Sequence, residues 1–261
     1  MAIALGVYVA GVPGNPPGFF VDESSIAYNA YTISQHGLDE HGESWPLYFR
    51  AFGEYKNPTF IYLLAALYSF FGPSQFMARL LSALLVVAAA LLLGVLAGKA
   101  THRRAVGVIV ALSACLTPWL FELSRLVFEV ALLPLALTLF LWALQLALKY
   151  DRPHWTNAAA LALTLGLITY TSAAGRILAP LFCCGLMLCG SKNRWLLLGQ
   201  SFLLYGLTLI PLFLFLHHHP GALGTRFTHV TYFTYANSRF ETLFTFLGHY
   251  FRSFNPWDWL V

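Results

Sequence analysis

The chain alternates long apolar runs with short polar breaks. Apolar stretches occupy residues 75–98, 105–121, 130–148, 157–174, 177–190 and 195–216, and a shorter one covers 59–71. A bilayer-crossing helix needs about 20 predominantly apolar residues, so the long runs predict membrane spans. Three of the breaks are small and basic, with Lys99, Arg103 and Arg104 in the first, Lys149 and Arg152 in the second, and Lys192 and Arg194 in the third. They lie two spans apart and therefore share one side, which the positive-inside rule makes the cytoplasm. Of the eleven acidic residues, only Asp151 falls in those turns.

The run 59–71 decides the parity. At about 1.5 Å per residue it is too short for a hydrocarbon core about 30 Å thick. Tyr62, Tyr68, Phe70 and Phe71 suit a helix lying in the interface. The first span then runs outward, and residues 13–79 form a large outer loop. The predicted fold is all-α: a polytopic helical domain over 1–261 with about seven spans, an inside N-terminus and interfacial helices in the first outer loop. Further outer segments are 122–129, a tight turn at Gly175-Arg176, and everything from His217 onward. The first apolar run, 1–12, has the length of a span that lacks its beginning, and the chain stops in an aromatic segment. Both features suggest an N-terminal piece of a longer protein.

Composition agrees with lipid as the solvent. Hydrophobic residues make up 58% of the 261 and charged residues 10%, against about 25% charged in soluble domains, and the mean hydropathy is +0.66. The net charge of +4 is spread in ones and twos, with no basic stripe for nucleic acid. Cys115, Cys183, Cys184 and Cys189 sit in apolar runs as small hydrophobes.

Chemistry concentrates in the outer loop. A turn-rich stretch, Pro13-Gly14-Asn15-Pro16-Pro17-Gly18, precedes Asp22-Glu23 at the start of a surface helix that Gly37 ends. Asp22 could cap that helix while Glu23 favours its positive end, or a carboxylate here could take a proton from an acceptor hydroxyl. Lys56 precedes Asn57-Pro58, with Pro58 in the first turn of the interfacial helix. It could snorkel to headgroups or contact a lipid phosphate. Arg79, Arg125, Arg176 and Arg226 fall near the same surface, and arginine suits phosphate geometry. Glu54 and Tyr55 adjoin Lys56. Glu122 and Glu129 flank Arg125, where an Arg125–Glu129 pair at i,i+4 is the structural alternative. His217-His218-His219 resembles a metal tract, but consecutive histidines do not share a helix face, so a polar stop to the last span is the simpler reading. No nucleotide-binding or zinc-protease motif occurs.

These residues carry a resemblance. Pro16-Pro17-Gly18-Phe19-Phe20-Val21-Asp22-Glu23, then Tyr28-Asn29-Ala30-Tyr31, Gly37-Leu38-Asp39-Glu40-His41-Gly42, Pro46-Leu47-Tyr48-Phe49 and Tyr55-Lys56-Asn57-Pro58 look like the first outer loop of GT-C glycosyltransferases. The relatives in question are the protein O-mannosyltransferases and lipid A aminoarabinose transferases. Arg79-Leu80-Leu81-Ser82-Ala83-Leu84 resembles their second span, and Ser124-Arg125 with Glu129 their next outer turn. The family usually has two prolines after the lysine, and here Asn57 replaces one.

The resemblance implies an inverting enzyme that moves a sugar from a polyprenyl-phosphate carrier to a lipid, glycan or protein acceptor outside the cytoplasm. It implies Asp22 as catalytic base with Glu23 in support, and Lys56 and the outer arginines as ligands of the donor phosphate. It implies a cell-membrane location, bacterial or archaeal, with the active site facing outward. No cofactor is assigned, and the need for a divalent cation stays open. The rival class is a transporter or flippase of lipid-linked sugars, which would place ionisable residues near mid-membrane. Residues 84–95 and 132–143 carry no charge.

Overall fold

The computed structural model describes residues 2–149, 154–189, 194–224 and 239–255. The chain divides into two compact units, Met1–Pro220 and Gly221–Val261.

Among its described residues the first unit is helical apart from a small hairpin and an isolated Leu38–Ser44 bridge. Helix α1 covers Ala2–Val9 and α2 Val21–His36, where the glycine Gly37 takes the left-handed conformation that ends the helix. Strands β1 (Phe49–Ala51) and β2 (Glu54–Lys56) pair antiparallel, with Phe49 opposite Lys56. Phe52 and Gly53 both have positive φ, at 53° and 78°, as a two-residue hairpin turn requires. The hairpin is a local addition to an otherwise helical architecture, which agrees with the all-α expectation. Its strands have three residues each, too few for an alternating pattern to be visible along the chain.

Helix α3 runs from Pro58 to Phe71, with Pro58 at its first position. It buries Phe60, Ile61, Leu64, Ala65 and Tyr68 and exposes Leu63, Phe70 and Phe71. Helix α4 (Gln75–Thr101) follows after Ser74, whose hydroxyl accepts the Met77 N–H. Helix α5 (Arg104–Cys115) packs closely against α4 through small residues. A Cβ built on Gly94 would lie 2.6 Å from the Gly107 carbonyl oxygen and 2.6 Å from the Ala111 methyl, so only glycine permits this approach. The run 105–121 then bends by 62° between α5 and α6 (Pro118–Ser124), where Pro118 disfavours helix at the residue before it.

A 3₁₀ turn at Glu129–Leu132 leads into α7 (Leu133–Lys149). Helix α8 is Trp155–Thr171 and α9 is Ala173–Gly185, separated by the extended residue Ser172. A 3₁₀ turn at Leu186–Cys189 continues α9. Helices α10 (Trp195–Thr208) and α11 (Ile210–His218) close the unit. One apolar cluster joins α1 to α4 with α6 and the Glu129 turn, and a second joins α7 to α10.

Three helical segments among the described residues are long and apolar enough to cross a membrane: Gln75–Thr101, Glu129–Lys149 and Trp195–His218. Counting the bent pair α5–α6 as one span gives four. The helical membrane reading stands at that level, and the count of seven exceeds it. Apolar runs legible as spans are interrupted, at Ser172 by extended backbone and at Leu186 by 3₁₀ winding, which leaves shorter helices. Cys115 and Cys183 are buried as expected, whereas Cys184 is exposed.

In the second unit α12 (Arg239–Arg252) is amphipathic, exposing Phe240, Leu243, Phe244, Phe246 and Phe251. Glu241 stands in its first turn, and His249 and Arg252 in its last, each sign at the end of the helix dipole that favours it.

Candidate active site

Asp22 and Glu23 are adjacent in α2 but face different surroundings. The N-cap of α2 is Phe20, so Asp22 is not the cap that the sequence suggests. Glu23 takes the terminal role instead, its Oε2 accepting the Phe20 N–H at 3.0 Å. The Glu23 side chain is fully buried and forms a two-pronged pair with Arg79, Nε to Oε1 at 3.0 Å and Nη2 to Oε2 at 2.9 Å. Glu23 Oε1 also accepts the buried Val127 N–H at 3.0 Å.

Arg79, equally buried, donates further to the carbonyls of Pro16 at 2.9 Å and Gly18 at 2.7 Å, with longer contacts to Val12 and Pro13 at 3.4 Å. Its guanidinium also lies 5.4 Å from the Phe19 ring centre. The proline-rich loop before α2 can offer few N–H groups, because proline has none. Its carbonyls converge on Arg79 and are satisfied there. Arg79 was expected at the surface, and the structure places it in the interior with its donors engaged by the protein.

Asp22 projects the other way, about half exposed, and accepts a charged hydrogen bond from the Lys56 ammonium, whose side chain is 15% exposed. Lys56 ends β2, and the hairpin turns it back toward α2. The next residue, Asn57, is buried and forms the N-cap of α3. Its N–H donates to Glu129 Oε1 at 2.6 Å, its side-chain amide donates to Glu129 Oε2, and its side-chain oxygen accepts from Arg176 Nη1 at 3.1 Å. Thr59, in the first turn of α3, donates to the carbonyl of Tyr170 near the end of α8 at 2.9 Å.

Arg176 lies in the first turns of α9, where Ser172 caps the helix by accepting the Gly175 N–H at 3.0 Å. The turn expected at Gly175-Arg176 thus lies three residues earlier, at Ser172. Gly175 is essential to it, since an added Cβ would sit 1.9 Å from the Ile168 carbonyl oxygen. The Arg176 side chain also interacts with the Tyr48 hydroxyl. Its guanidinium lies 5.6 Å from the centre of the buried Tyr48 ring. Burial raises the Tyr48 pKa, and the Arg176 charge opposes the rise. Phe215 of α11 packs on both Tyr48 and Tyr55, at 4.8 and 5.3 Å between ring centres, and stacks with His219 at 4.6 Å. Tyr170 ties this wall together, donating to the Thr208 carbonyl at 2.7 Å and accepting the Leu212 N–H at 3.2 Å.

Arg125 is drawn elsewhere. It donates to the carbonyls of Val7 at 2.9 Å and Ala10 at 2.7 Å, at the end of α1, where unpaired carbonyls favour a cation. It makes no pair with Glu129, whose carboxylate faces Asn57. Arg226 lies outside the described residues. Glu122 is exposed at the surface. Glu54 opens β2, opposite Ala51. Asp39 and Glu40 hold the loop after α2, Asp39 by accepting the N–H groups of His41 and Glu43 at 2.9 and 2.8 Å, Glu40 by bonding Asn29 at 2.9 Å. No group of three metal-ligating side chains occurs among the described residues, so the histidine run builds no such cluster there.

The starts of α2, α3 and α4 are tied together by Lys56–Asp22 and Arg79–Glu23, so α3 begins and ends at one end of the bundle. Of the basic residues in the polar turns, Lys99 near the end of α4 sits 4.1 Å from the Trp142 ring centre, and Arg194 before α10 donates to the Leu148 carbonyl at 3.1 Å. Sequence reasoning missed Tyr48 and Tyr170 as site residues and read Asn57 only as a replaced proline. The proline replacement was a usable signal. Nothing in the sequence marks which tyrosines turn inward.

A profile of the dolichyl-phosphate-mannose-protein mannosyltransferase family matches residues 55–219. The chain belongs to this family. It is a mannosyltransferase-like, GT-C-type membrane glycosyltransferase with several apolar helices. The matched region contains Lys56, Arg79, Arg125, Glu129 and Arg176, while Asp22 and Glu23 precede it. No curated protein and no solved structure matches the chain.

Proposed function

We propose that this glycosyltransferase moves a sugar from a polyprenyl-phosphate carrier to an acceptor hydroxyl, with inversion, on the non-cytoplasmic side of the membrane. The observation that carries the reading is the contact between Asp22 and Lys56, with Arg176 held beside Lys56 through Asn57. A base, a cation and a second cation come from α2, β2 and α9 to one end of the bundle.

In this reading Lys56 and Arg176 bind the donor phosphate. The acceptor oxygen bonds to the sugar's C1 as the bond from C1 to the phosphate oxygen breaks. The electron pair leaves on the polyprenyl phosphate, and the acceptor proton passes to Asp22. Charge growing on the phosphate meets fixed cations in a partly dry site, where they stabilise it most. A phosphate is already a competent leaving group, so no strong general acid is required. Glu23 supports Asp22 by anchoring the start of α2, and Arg79 anchors the loop before it. Glu129 and Tyr55 line the same region, with Glu54 at the other end of β2. Arg79 and Arg125 are assigned structural work, since their donors serve protein carbonyls and, for Arg79, Glu23. The basic turns support an outward-facing site by the positive-inside rule.

The test is a transfer assay on the full-length protein with a panel of polyprenyl-phosphate sugars. Transfer from at least one, abolished by loss of the Asp22 carboxylate, supports the reading. Transfer only from nucleotide sugars would overturn it.

A further inference from the structure

Asn57 bonds both the Glu129 carboxylate and the Arg176 guanidinium. We infer that Asn57 is a positioning residue: a neutral spacer that keeps Arg176 from collapsing onto Glu129, so that the Arg176 cation remains available to a phosphate.

The geometry of α3 supports this. An asparagine at a helix N-cap ordinarily turns its side-chain oxygen onto the helix's own free N–H groups. Asn57 stands at the N-cap with no such bond. Its oxygen accepts from Arg176, and its amide and backbone N–H both donate to Glu129. The side chain has given up its local cap to stand between opposite charges. Arg176 and Glu129 form no ion pair, although both bond the same amide group. A carboxylate and a guanidinium this close, in a region of low dielectric, attract strongly, and a two-pronged arginine–carboxylate pair is the arrangement they would adopt if free to meet. Glu23 and Arg79, with no spacer between them, have done so.

Asn57 satisfies Glu129 by donating two hydrogen bonds and takes only one donor from Arg176. A proline at 57, the usual residue by resemblance, has no N–H and no amide and could play neither part.

The inference rests on the reading that Arg176 binds a polyprenyl phosphate, and the experiment separates the two. Dolichyl phosphate binding is measured with the full-length protein in detergent, for wild type, Asn57→Ala, Glu129→Gln and the double variant, alongside thermal melting. Asn57→Ala should weaken binding about 10-fold or more, the worth of one charge-assisted contact, because Arg176 turns to Glu129. Adding Glu129→Gln should restore binding to within a few-fold of wild type. Glu129→Gln alone should bind at least as well as wild type. Asn57→Asp, close to Asn in size, is the second route should Asn57→Ala not fold. An Asp at 57 captures Arg176 directly, so binding weakens and Glu129→Gln does not rescue it. Unchanged binding in Asn57→Ala or Asn57→Asp overturns the spacer, as does a loss in Asn57→Ala that Glu129→Gln leaves uncorrected. Absence of dolichyl phosphate binding by wild type removes the donor reading itself, and the spacer with it.

Discussion

Asp22 and Glu23 are consecutive residues of like charge, and each meets one cation from a distant part of the chain. Glu23 and Arg79 are wholly buried, with both carboxylate oxygens and all three guanidinium nitrogens engaged by the protein. Asp22 and Lys56 are paired at the surface of the same helix start, with the carboxylate about half exposed. The first pair is saturated and dry, and nothing further can reach it. The second is accessible, which is what a group that exchanges a proton with a substrate requires. Successive side chains on a helix are about 100° apart, so one turns inward to lock the loop before α2 and the other outward to the proposed site. Charge in the sequence marks both residues equally. Saturation tells scaffold from chemistry.

The comparison is broken most severely by Arg79→Leu. It strands the Glu23 carboxylate and the carbonyls of Pro16 and Gly18 in the interior. Removing one partner of a buried pair costs about 3–5 kcal/mol, so the full-length protein should show a markedly lower melting temperature in detergent or fail to accumulate. A variant that melts like wild type would place Arg79 with the accessible group.

Asp22→Asn tests the other member. Asparagine preserves shape and cannot accept the proton, so melting should change little while turnover falls on the order of 10²-fold or more. Wild-type turnover in this variant would move the search for a base to Glu54 or Glu129.

Lys56→Ala and Arg176→Ala sharpen the division among the cations. Each should weaken donor binding by roughly 1.5–3 kcal/mol, a lost charge-assisted contact, as measured by donor titration at constant expression. Equal donor affinity in both variants would reduce them to interfacial anchors. The smallest effect is expected of Arg125→Gln, which removes a cation from the end of α1. A melting loss of about 1–2 kcal/mol with unchanged donor affinity would group Arg125 with Arg79, whereas a donor-binding defect would return it to the site.

Much of this arrangement is legible along the chain. The apolar runs announce a helical membrane protein because lipid tolerates no other surface. Asp22-Glu23 at a helix start, Lys56 before Pro58 and Arg176 after a break are each visible as charges bounded by apolar residues, which are costly unless used. Gly37 and Pro58 mark helix ends through their own backbone preferences.

What the chain alone could not decide is partner choice. Arg125 and Glu129 stand four residues apart and read as a pair, but backbone carbonyls from α1 take one and Asn57 takes the other. Arg79 reads as a surface cation because the proline-rich loop that wraps it is distant in sequence. Of about seven predicted spans, three or four are long and apolar enough among the described residues, where Ser172 and the 3₁₀ turn at Leu186 interrupt helices whose composition stays apolar. Local composition sets the solvent, the helical periods and the helix ends, because those depend on residues within a turn or two. Which charge is buried, satisfied or left open depends on groups 34 to 119 residues away, and only the packed structure brings those together.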